Sequence, residues 1–278
     1  MAGNDLSPLT DTEVHYLGSE HVGDEFKVVI GHCGSSESAA RVVFMGDAWA
    51  NFGTAVETIR LMRFTEDVPP LLVAAIGYRT VDMEEIEALR TRDFTPTAHS
   101  TRTTAGGASR FLAFLRDELK PWLLERYDVD LDDSMFFGDS LGGLFATYVL
   151  LNEPTTFRRY GIGSPALEWD DELMFSHEAE YARTHVDLPA RVFFSVGAYE
   201  NTAGDKHRLA QLPADRRGDT EPENWDYVAD TERMVDALRS RAYPSLEIEC
   251  EVLPGEYHET SPPLNLSRSL RYLFDAPR

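Results

Sequence analysis

A glycine-flanked serine near the middle of the chain is the strongest candidate for a reactive side chain. It lies in the stretch Gly138-Asp139-Ser140-Leu141-Gly142. A serine hydroxyl is a poor nucleophile, so it needs a base to take its proton and a geometry that presents its oxygen to a substrate. A sharp turn from a strand into a helix supplies that geometry, with small residues two positions on either side of the serine. The pattern therefore predicts that Ser140 is a nucleophile.

The sequence on both sides of Ser140 fits such a turn. The run Met135-Phe136-Phe137 is typical of a short buried strand, and Leu144–Leu151 is typical of an apolar helix. This context matters because five residues of the form G-x-S-x-G occur by chance in many proteins. The alternative interpretation is a glycine-rich turn whose serine only caps a helix.

The letters Gly-Asp-Ser-Leu also spell the motif of a different hydrolase group, the GDSL (SGNH) lipases. In that group the motif follows the first strand, and the histidine stands three residues after an aspartate near the C-terminus. In this chain the motif is central, and the residue three positions before His258 is Gly255. The GDSL interpretation is therefore a poor match.

His258 is the candidate base for Ser140. Folds built around this turn place the base in the loop after the last strand and before the final helix. Residues 246–253 are predicted to form that strand, and a helix is predicted from Ser267. The alternative is a solvated loop histidine. The remaining histidines lack this position: His15, His21, His32, His99, His177, His185 and His207.

An acid is expected after the preceding strand, where it would orient the imidazole and stabilise its charged form. The strand Val192–Val196 is followed closely by Glu200, and Asp205 is the competing candidate. We favour Glu200 because it is nearer the strand end. In so acidic a chain, either residue could also be an ordinary solvated carboxylate.

A hydrolytic transition state needs two preorganised N–H donors for its oxyanion. We expect one to be the amide of Leu141, directly after the nucleophile. The other is expected in the segment 46–49, after the predicted strand Arg41–Met45, and we favour the Trp49 amide. Backbone donors carry no sequence signature, so this prediction rests on the expected fold.

Strand and helix signals alternate along the whole chain, which predicts an α/β-hydrolase fold with a mostly parallel central sheet and helices on both faces. The predicted strands are 26–30, 41–45, 71–76, 134–137, 160–163, 192–196 and 246–253. The predicted helices are 54–63, 83–89, 109–127, 144–151, 226–240 and 267–273.

The domain organisation follows from length and from where the regular patterns stop. The 278 residues suit one large α/β domain over residues 25–278, preceded by a loosely held arm over residues 1–24. Two polar stretches near 78–108 and 200–225 are predicted to be loop insertions. Loops of that length commonly serve function.

Composition excludes several kinds of partner. The formal net charge is −22, which disfavours nucleic acid and anionic membranes as partners. No apolar run is long enough to span a bilayer, no signal peptide is visible, and two distant cysteines suit a reducing compartment, so a cytoplasmic protein is predicted. The sequence has no phosphate loop and no clustered metal-ligand spacing. We therefore expect a small-molecule ester as substrate and no cofactor or metal.

Several segments together resemble the putative esterase family, which includes esterase D-like and siderophore esterases. The similarity covers roughly residues 25–275. It is carried by 138–146 around Ser140, by 160–167 with its Gly-Ser-Pro-Ala-Leu, by Arg92-Asp93-Phe94-Thr95-Pro96, and by 253–258 followed by 266–271.

This resemblance implies a Ser–His hydrolase of carboxylic esters, with Ser140 as nucleophile and His258 as base. Its acid position is most similar to Glu200, although some siderophore esterases work with a Ser–His dyad. The chain departs from the common pattern of the family in three places. Gly46-Asp47-Ala48 stands where Leu-Asp-Gly is usual, Glu168-Trp169 where two tryptophans are frequent, and Asp139 where histidine is common before the nucleophile.

The sequence does not decide which residues line the pocket or which molecule accepts the acyl group. Trp49, Trp169 and Tyr257 could line the pocket or belong to the core, and Arg92 could bind a substrate carboxylate or pair with Asp93. The same residues could transfer the acyl group to an alcohol other than water. A third alternative is a non-catalytic binding protein of the same fold.

Overall fold

The computed structural model describes residues 9–34, 39–98, 102–211 and 225–275, and these residues form one sheet of eight strands. The strands lie in the order β1-β2-β4-β3-β5-β6-β7-β8; β2 runs antiparallel to both of its neighbours, β1 and β4, and the other neighbouring pairs are parallel. The strands are β1 (Thr12–Ser19), β2 (Asp24–Cys33), β3 (Ala40–Met45), β4 (Leu71–Gly77), β5 (Val129–Asp139), β6 (Arg159–Gly163), β7 (Arg191–Gly197) and β8 (Glu247–Leu253).

Helices cover both faces of this sheet. They are α1 (Ala48–Phe64), α2 (Met83–Phe94), α3 (Ala108–Ala113), α4 (Lys120–Leu124), α5 (Leu141–Asn152), α6 (Trp169–Thr184), α7 (Thr202–Gln211), α8 (Tyr227–Ser240) and α9 (Pro262–Phe274). A π-helical segment, Phe114–Leu119, joins α3 to α4, and a 3₁₀ turn, Pro154–Thr156, precedes β6.

Alternating side chains of the central strands divide the core into two layers. In β3, Val42 and Phe44 belong to the layer that also holds buried residues of α2, α3, α5, α6 and α8, whereas Val43 and Met45 belong to the layer that holds those of α1 and α9. Successive residues of a strand point to opposite faces, so a strand covered on both sides is apolar at every position. This explains the continuous apolar runs from which the strands were predicted.

The predicted fold class is confirmed: the sheet is mostly parallel and helices lie on both of its faces. Most elements begin earlier or end later than predicted, as α1 does at Ala48 and β5 at Val129. Residues 99–101 of the predicted insertion near 78–108 and residues 212–224 of the one near 200–225 fall outside the described ranges. A single domain over 25–278 stays a prediction.

The expected arm over residues 1–24 differs from what the structure shows in its second half. Residues 12–19 form the edge strand β1, which pairs in antiparallel register with β2 from Thr12↔Gly31 to Ser19↔Asp24. Val14 and Tyr16 remain half exposed, so the segment lacks the buried alternation that marks an inner strand. Residues 1–8 lie outside the described part of the chain.

Candidate active site

Ser140 lies at a sharp turn between β5 and α5. Its backbone has φ 58° and ψ −120°, a left-handed conformation that residues with a side chain rarely adopt. The Ser140 amide donates to the carbonyl of Gly163, and the Ser140 carbonyl accepts from the amides of Leu144 and Ala166. These bonds to the neighbouring strand and to the first turn of α5 hold the strained residue in place.

Close backbone contacts require two of the three glycines around Ser140. A Cβ at Gly138 would lie 2.0 Å from the carbonyl oxygen of Gly142, and one at Gly143 would lie 2.5 Å from that of Gly163. A Cβ at Gly142 would meet only ordinary contact, 3.8 Å from Asp47 Oδ2. Close backbone approach therefore demands glycine at 138 and 143, and the turn itself tolerates more at 142.

The structure brings Ser140, His258 and Glu200 into one hydrogen-bonded row. His258 Nε2 lies 3.1 Å from Ser140 Oγ, and His258 Nδ1 lies 2.6 Å from Glu200 Oε2. A carboxylate only accepts hydrogen bonds, so Nδ1 carries the proton and Nε2 is left to accept from the serine hydroxyl. This is the tautomer that a base for Ser140 requires.

Glu200 is fully buried, and each of its oxygens has a partner. Oε1 accepts from the Gly197 amide and from Ser164 Oγ, both at 2.7 Å, while Oε2 faces His258. Asp205 instead lies on α7, where its nearest charged partner is Arg208 at 3.7 Å. Of the two acids considered from sequence, the structure places Glu200 against the imidazole and Asp205 away from it.

The surroundings of His258 raise the pKa of its imidazole. Burial lowers this pKa, but the hydrogen bond that the ring donates to Glu200 and the negative charges of Glu200, Asp139 and Glu259 outweigh burial. The side chain keeps 31% of its surface exposed, on the side of the cavity that also holds Ser140. Stabilising the protonated ring favours the state that exists after the imidazole has taken a proton from the serine.

A cavity of about 400 Å³ opens beside Ser140 and His258. Its other walls come from the first turns of α1 and α9, from Asp139 and from Arg90. Trp49 is 54% exposed and lines the cavity, and its amide belongs to the first turn of α1. Leu141 opens α5. First-turn amides have no acceptor within their own helix, so the amides of Trp49 and Leu141 are of the kind that binds anions.

The residue before α1, Asp47, is held by a buried ion pair. Its carboxylate receives two hydrogen bonds from Arg90, from Nε at 2.6 Å and from Nη2 at 3.0 Å. Both side chains are largely shielded from water. Asp47 has φ 53°, so the ion pair also fixes a left-handed residue at the start of the helix that carries Trp49.

Removing the charge of Arg90 is expected to destabilise the fold. In Arg90→Met the Asp47 carboxylate stays buried without a partner, so we expect the free energy of unfolding to fall by about 3 kcal/mol. Arg79→Met is the matched control, because Arg79 pairs with Glu25 at an exposed site and should cost less than about 1 kcal/mol. Urea unfolding of both variants measures the difference, and equal losses would contradict the assignment.

Three residues that the sequence suggested for the pocket, Trp169, Tyr257 and Arg92, are not among the residues that line this cavity. Trp169 is buried and donates from Nε1 to Thr97 Oγ1 at 3.1 Å. Tyr257 packs on Tyr199, with ring centroids 5.0 Å apart. Arg92 is engaged by the carboxylates of Asp93 and Asp24.

Sequence reasoning missed several polar residues of the site. They are Asp47, Arg90, Ser164, Tyr227 and Asn265. Tyr227 sets its ring at an edge-on 67° against His258, with centroids 5.2 Å apart. Most of these partners are far apart in the chain, so local sequence gives no signal for them. Ser164 was visible only as part of the Gly-Ser-Pro segment.

Neither a metal-binding cluster nor a membrane-spanning helix is found among the described residues. Across residues 9–34, 39–98, 102–211 and 225–275, no group of three or more His, Cys, Asp or Glu side chains could hold a metal ion. Over the same ranges, no helix has the length and apolar character needed to cross a membrane.

Comparison with known protein sequences gives consistent matches. A family model described as putative esterase matches residues 22–234. The ferri-bacillibactin esterase BesA of Bacillus subtilis (strain 168) is 33% identical, over 95% of this chain and 90% of that protein. The siderophore triacetylfusarinine C esterase of Aspergillus fumigatus is 26% identical, over 96% of this chain and 94% of that protein.

Solved structures share the fold along nearly the whole chain. The BES protein from Bacillus cereus superposes with a TM-score of 0.82 at 23% identity, covering 99% of both chains. The siderophore hydrolase EstB from Aspergillus nidulans has the same TM-score at 21% identity, covering 98% of this chain and 99% of the other. At these identities the likeness shows the α/β-hydrolase type of fold.

Proposed function

The chain belongs to the putative esterase family and is a carboxylic ester hydrolase, and from this premise we propose that it works through an acyl-enzyme on Ser140. His258 acts as the base and Glu200 as the acid that orients it. The observation that carries the proposal is the unbroken row from Ser140 Oγ through His258 to Glu200, with separations of 3.1 Å and 2.6 Å.

In the first half of the reaction, Ser140 Oγ attacks the ester carbonyl carbon while His258 Nε2 takes the hydroxyl proton. The electron pair of the carbonyl π bond moves to the carbonyl oxygen, and the amides of Leu141 and Trp49 stabilise the oxyanion that results. When the intermediate collapses, the carbon–oxygen bond to the alcohol breaks. His258 gives its proton to the departing oxygen, and the acyl group remains on Ser140.

In the second half, water replaces the alcohol. His258 takes a proton from the attacking water, the same amides hold the second oxyanion, and the bond from the acyl carbon to Ser140 Oγ breaks as His258 returns the proton to the serine. Glu200 remains ionised throughout and stabilises each imidazolium. The chemistry calls on side chains and backbone alone.

We propose a siderophore ester as the substrate. The support is the similarity, over nearly the full length of both chains, to a ferri-bacillibactin esterase and a siderophore triacetylfusarinine C esterase. Both relatives are named esterases, which favours water as the acyl acceptor. A cytoplasmic location stays a prediction.

The test compares siderophore esters with simple ones. Purified protein is incubated with ferri-bacillibactin, triacetylfusarinine C and p-nitrophenyl esters of graded chain length. Siderophore products are followed by mass spectrometry and released p-nitrophenolate by its absorbance. We expect at least one siderophore to be cleaved with a higher kcat/KM than every p-nitrophenyl ester. Cleavage of p-nitrophenyl esters alone would contradict the siderophore substrate and leave the Ser140 mechanism standing.

A further inference from the structure

Asp139 is a buried carboxylate that the proposed mechanism does not use. It is the last residue of β5, directly before Ser140, and only 6% of its surface is exposed. That remaining surface faces the cavity that Ser140 and His258 also line. Burying a carboxylate is costly unless its charge is compensated, so its place beside the reacting groups needs an explanation.

The Asp139 side chain is held by the same network that holds Glu200. Asn265 Nδ2 donates to Asp139 Oδ2 at 2.6 Å and to Ser164 Oγ at 3.2 Å. Ser164 Oγ in turn donates to Glu200 Oε1 at 2.7 Å. A single chain of hydrogen bonds therefore positions two carboxylates, of which one touches His258 and the other acts on it only through its charge.

The space for Asp139 is shaped by its neighbour in β6. A Cβ at Gly163 would lie 2.2 Å from Asp139 Oδ2 and 2.7 Å from Asn265 Nδ2. Since these strands pair as Asp139↔Gly163, the missing side chain at 163 leaves the room in which the carboxylate and the amide meet. The backbone thus accommodates a carboxylate at 139 in one defined place.

Buried charge and hydrogen bonding oppose each other at Asp139. Burial raises the pKa of this carboxyl to about 7, although the nearby His258 charge and the Asn265 hydrogen bond lower it. The negative charges of Glu200 and Asp47 also raise this pKa, and the value of about 7 is the balance of all these effects. Asp139 therefore changes its charge in the pH range in which His258 must be neutral to accept a proton.

Besides Glu200, the charged groups around this pair are Asp47, Glu168 and Glu259, and Glu168 accepts a hydrogen bond from the Tyr227 hydroxyl at 3.0 Å. Asp47, before α1, is paired with Arg90 of α2. Glu259 follows His258 in the chain and makes an exposed ion pair with Arg208. Asp139 differs from Glu259 in being shielded from water, and charges act over a distance more strongly where water is excluded.

We infer that Asp139 is a positioning residue for the esterase reaction, a second buried anion whose negative charge favours the imidazolium that His258 becomes when Ser140 attacks. This inference rests on the proposed roles of Ser140 and His258. Glu200 orients the ring by direct contact. Asp139 lies at the other end of the hydrogen-bonded chain through Asn265 and Ser164, and it acts on the ring through its charge alone. Because two groups coupled in this way share their protons, His258 and Asp139 titrate as a pair.

The pH dependence of kcat/KM tests the inference. In the wild type kcat/KM falls as pH drops through the pKa of His258, since the protonated ring cannot accept a proton. Asp139→Asn removes the charge and keeps the shape, so the His258 pKa falls and the acid limb should move to lower pH by roughly one unit. The plateau at high pH should fall roughly tenfold, because the imidazolium loses an anion that stabilises it.

Two further variants separate charge from structure. Asp139→Ser also removes the charge but changes the shape, and it should move the acid limb in the same direction. Glu259→Gln removes an exposed neighbouring charge and should move it less. An acid limb that stays in place in both Asp139 variants, or that moves equally in Glu259→Gln, would overturn the inference even if the plateau falls.

The wild-type enzyme decides the question if the Asp139 variants do not fold. Nitrogen-15 NMR of the His258 ring is expected to show two titration steps, and a single step would overturn the inference. Failure of the proposed function looks different. It would appear as ester hydrolysis retained in Ser140→Ala, whereas failure of this inference appears as an unshifted pH profile in an enzyme that still depends on Ser140.

Discussion

Replacing Ser140 with alanine is expected to lower kcat for ester hydrolysis by about 10⁴- to 10⁶-fold. Without Oγ no acyl-enzyme forms, and only the amides and the binding cavity remain to assist direct attack by water. The fold should persist, because alanine accepts the same φ of 58° as serine and the backbone bonds to Gly163 and Ala166 are unaffected. Steady-state hydrolysis of a p-nitrophenyl ester measures the loss.

A fluorophosphonate probe provides the second measurement for this variant. We expect the wild type to be labelled at Ser140 and Ser140→Ala to remain unlabelled. Ser176→Ala is the matched control, because Ser176 is an exposed serine of α6 and its removal should change neither labelling nor rate. Undiminished labelling of Ser140→Ala, with thermal unfolding near that of the wild type, would assign the nucleophile elsewhere.

Replacing Glu200 with glutamine is expected to lower kcat by about 10³- to 10⁴-fold. The glutamine keeps the size of the side chain but removes the anion that faces His258 Nδ1 at 2.6 Å. The ring then loses both its preferred tautomer and the charge that stabilises its protonated form. Because an amide can still accept from the Gly197 amide and Ser164 Oγ, the site should keep its shape.

Asp205→Asn is the matched control for Glu200→Gln. Asp205 is a carboxylate only five positions further along the chain, but it faces Arg208 on α7, so its change should leave kcat within about threefold. The kcat of each purified variant on the same ester gives the comparison. Equal, mild losses in both variants would favour a Ser–His dyad, and a large loss in Asp205→Asn alone would reverse the assignment.

The sequence was informative where function demands a local pattern. The turn at Ser140 needs glycines at fixed spacing, and the order of strands along the chain singled out His258 from eight histidines. The preference for Glu200 over Asp205 rested only on its smaller distance from the strand end, because both residues follow β7 closely. The backbone separates the two residues. The turn after Gly197 places the Glu200 carboxylate against the imidazole, whereas Asp205 lies on the helix α7 that follows.

Two kinds of feature escaped prediction for physical reasons. The helix α6 was missed because its sequence is strongly polar and acidic at its start, so no apolar stripe marks it. The Asp47–Arg90 ion pair joins positions 43 residues apart, and Asn265 reaches Asp139 across 126 residues. Contacts between residues so far apart in the chain form only when the sheet has formed, and the pattern of a single sequence carries no sign of them.

The place of β8 at the edge of the sheet has a consequence for biosynthesis. His258 follows this last strand, 118 residues after the serine it faces, and Asn265 comes later still. A growing chain therefore displays the strained serine turn long before the histidine has left the ribosome. A polypeptide that ends before residue 247 contains Ser140 and Glu200 but lacks β8, His258 and Asn265, so the row from Ser140 to Glu200 can be completed only after the last part of the chain has been made.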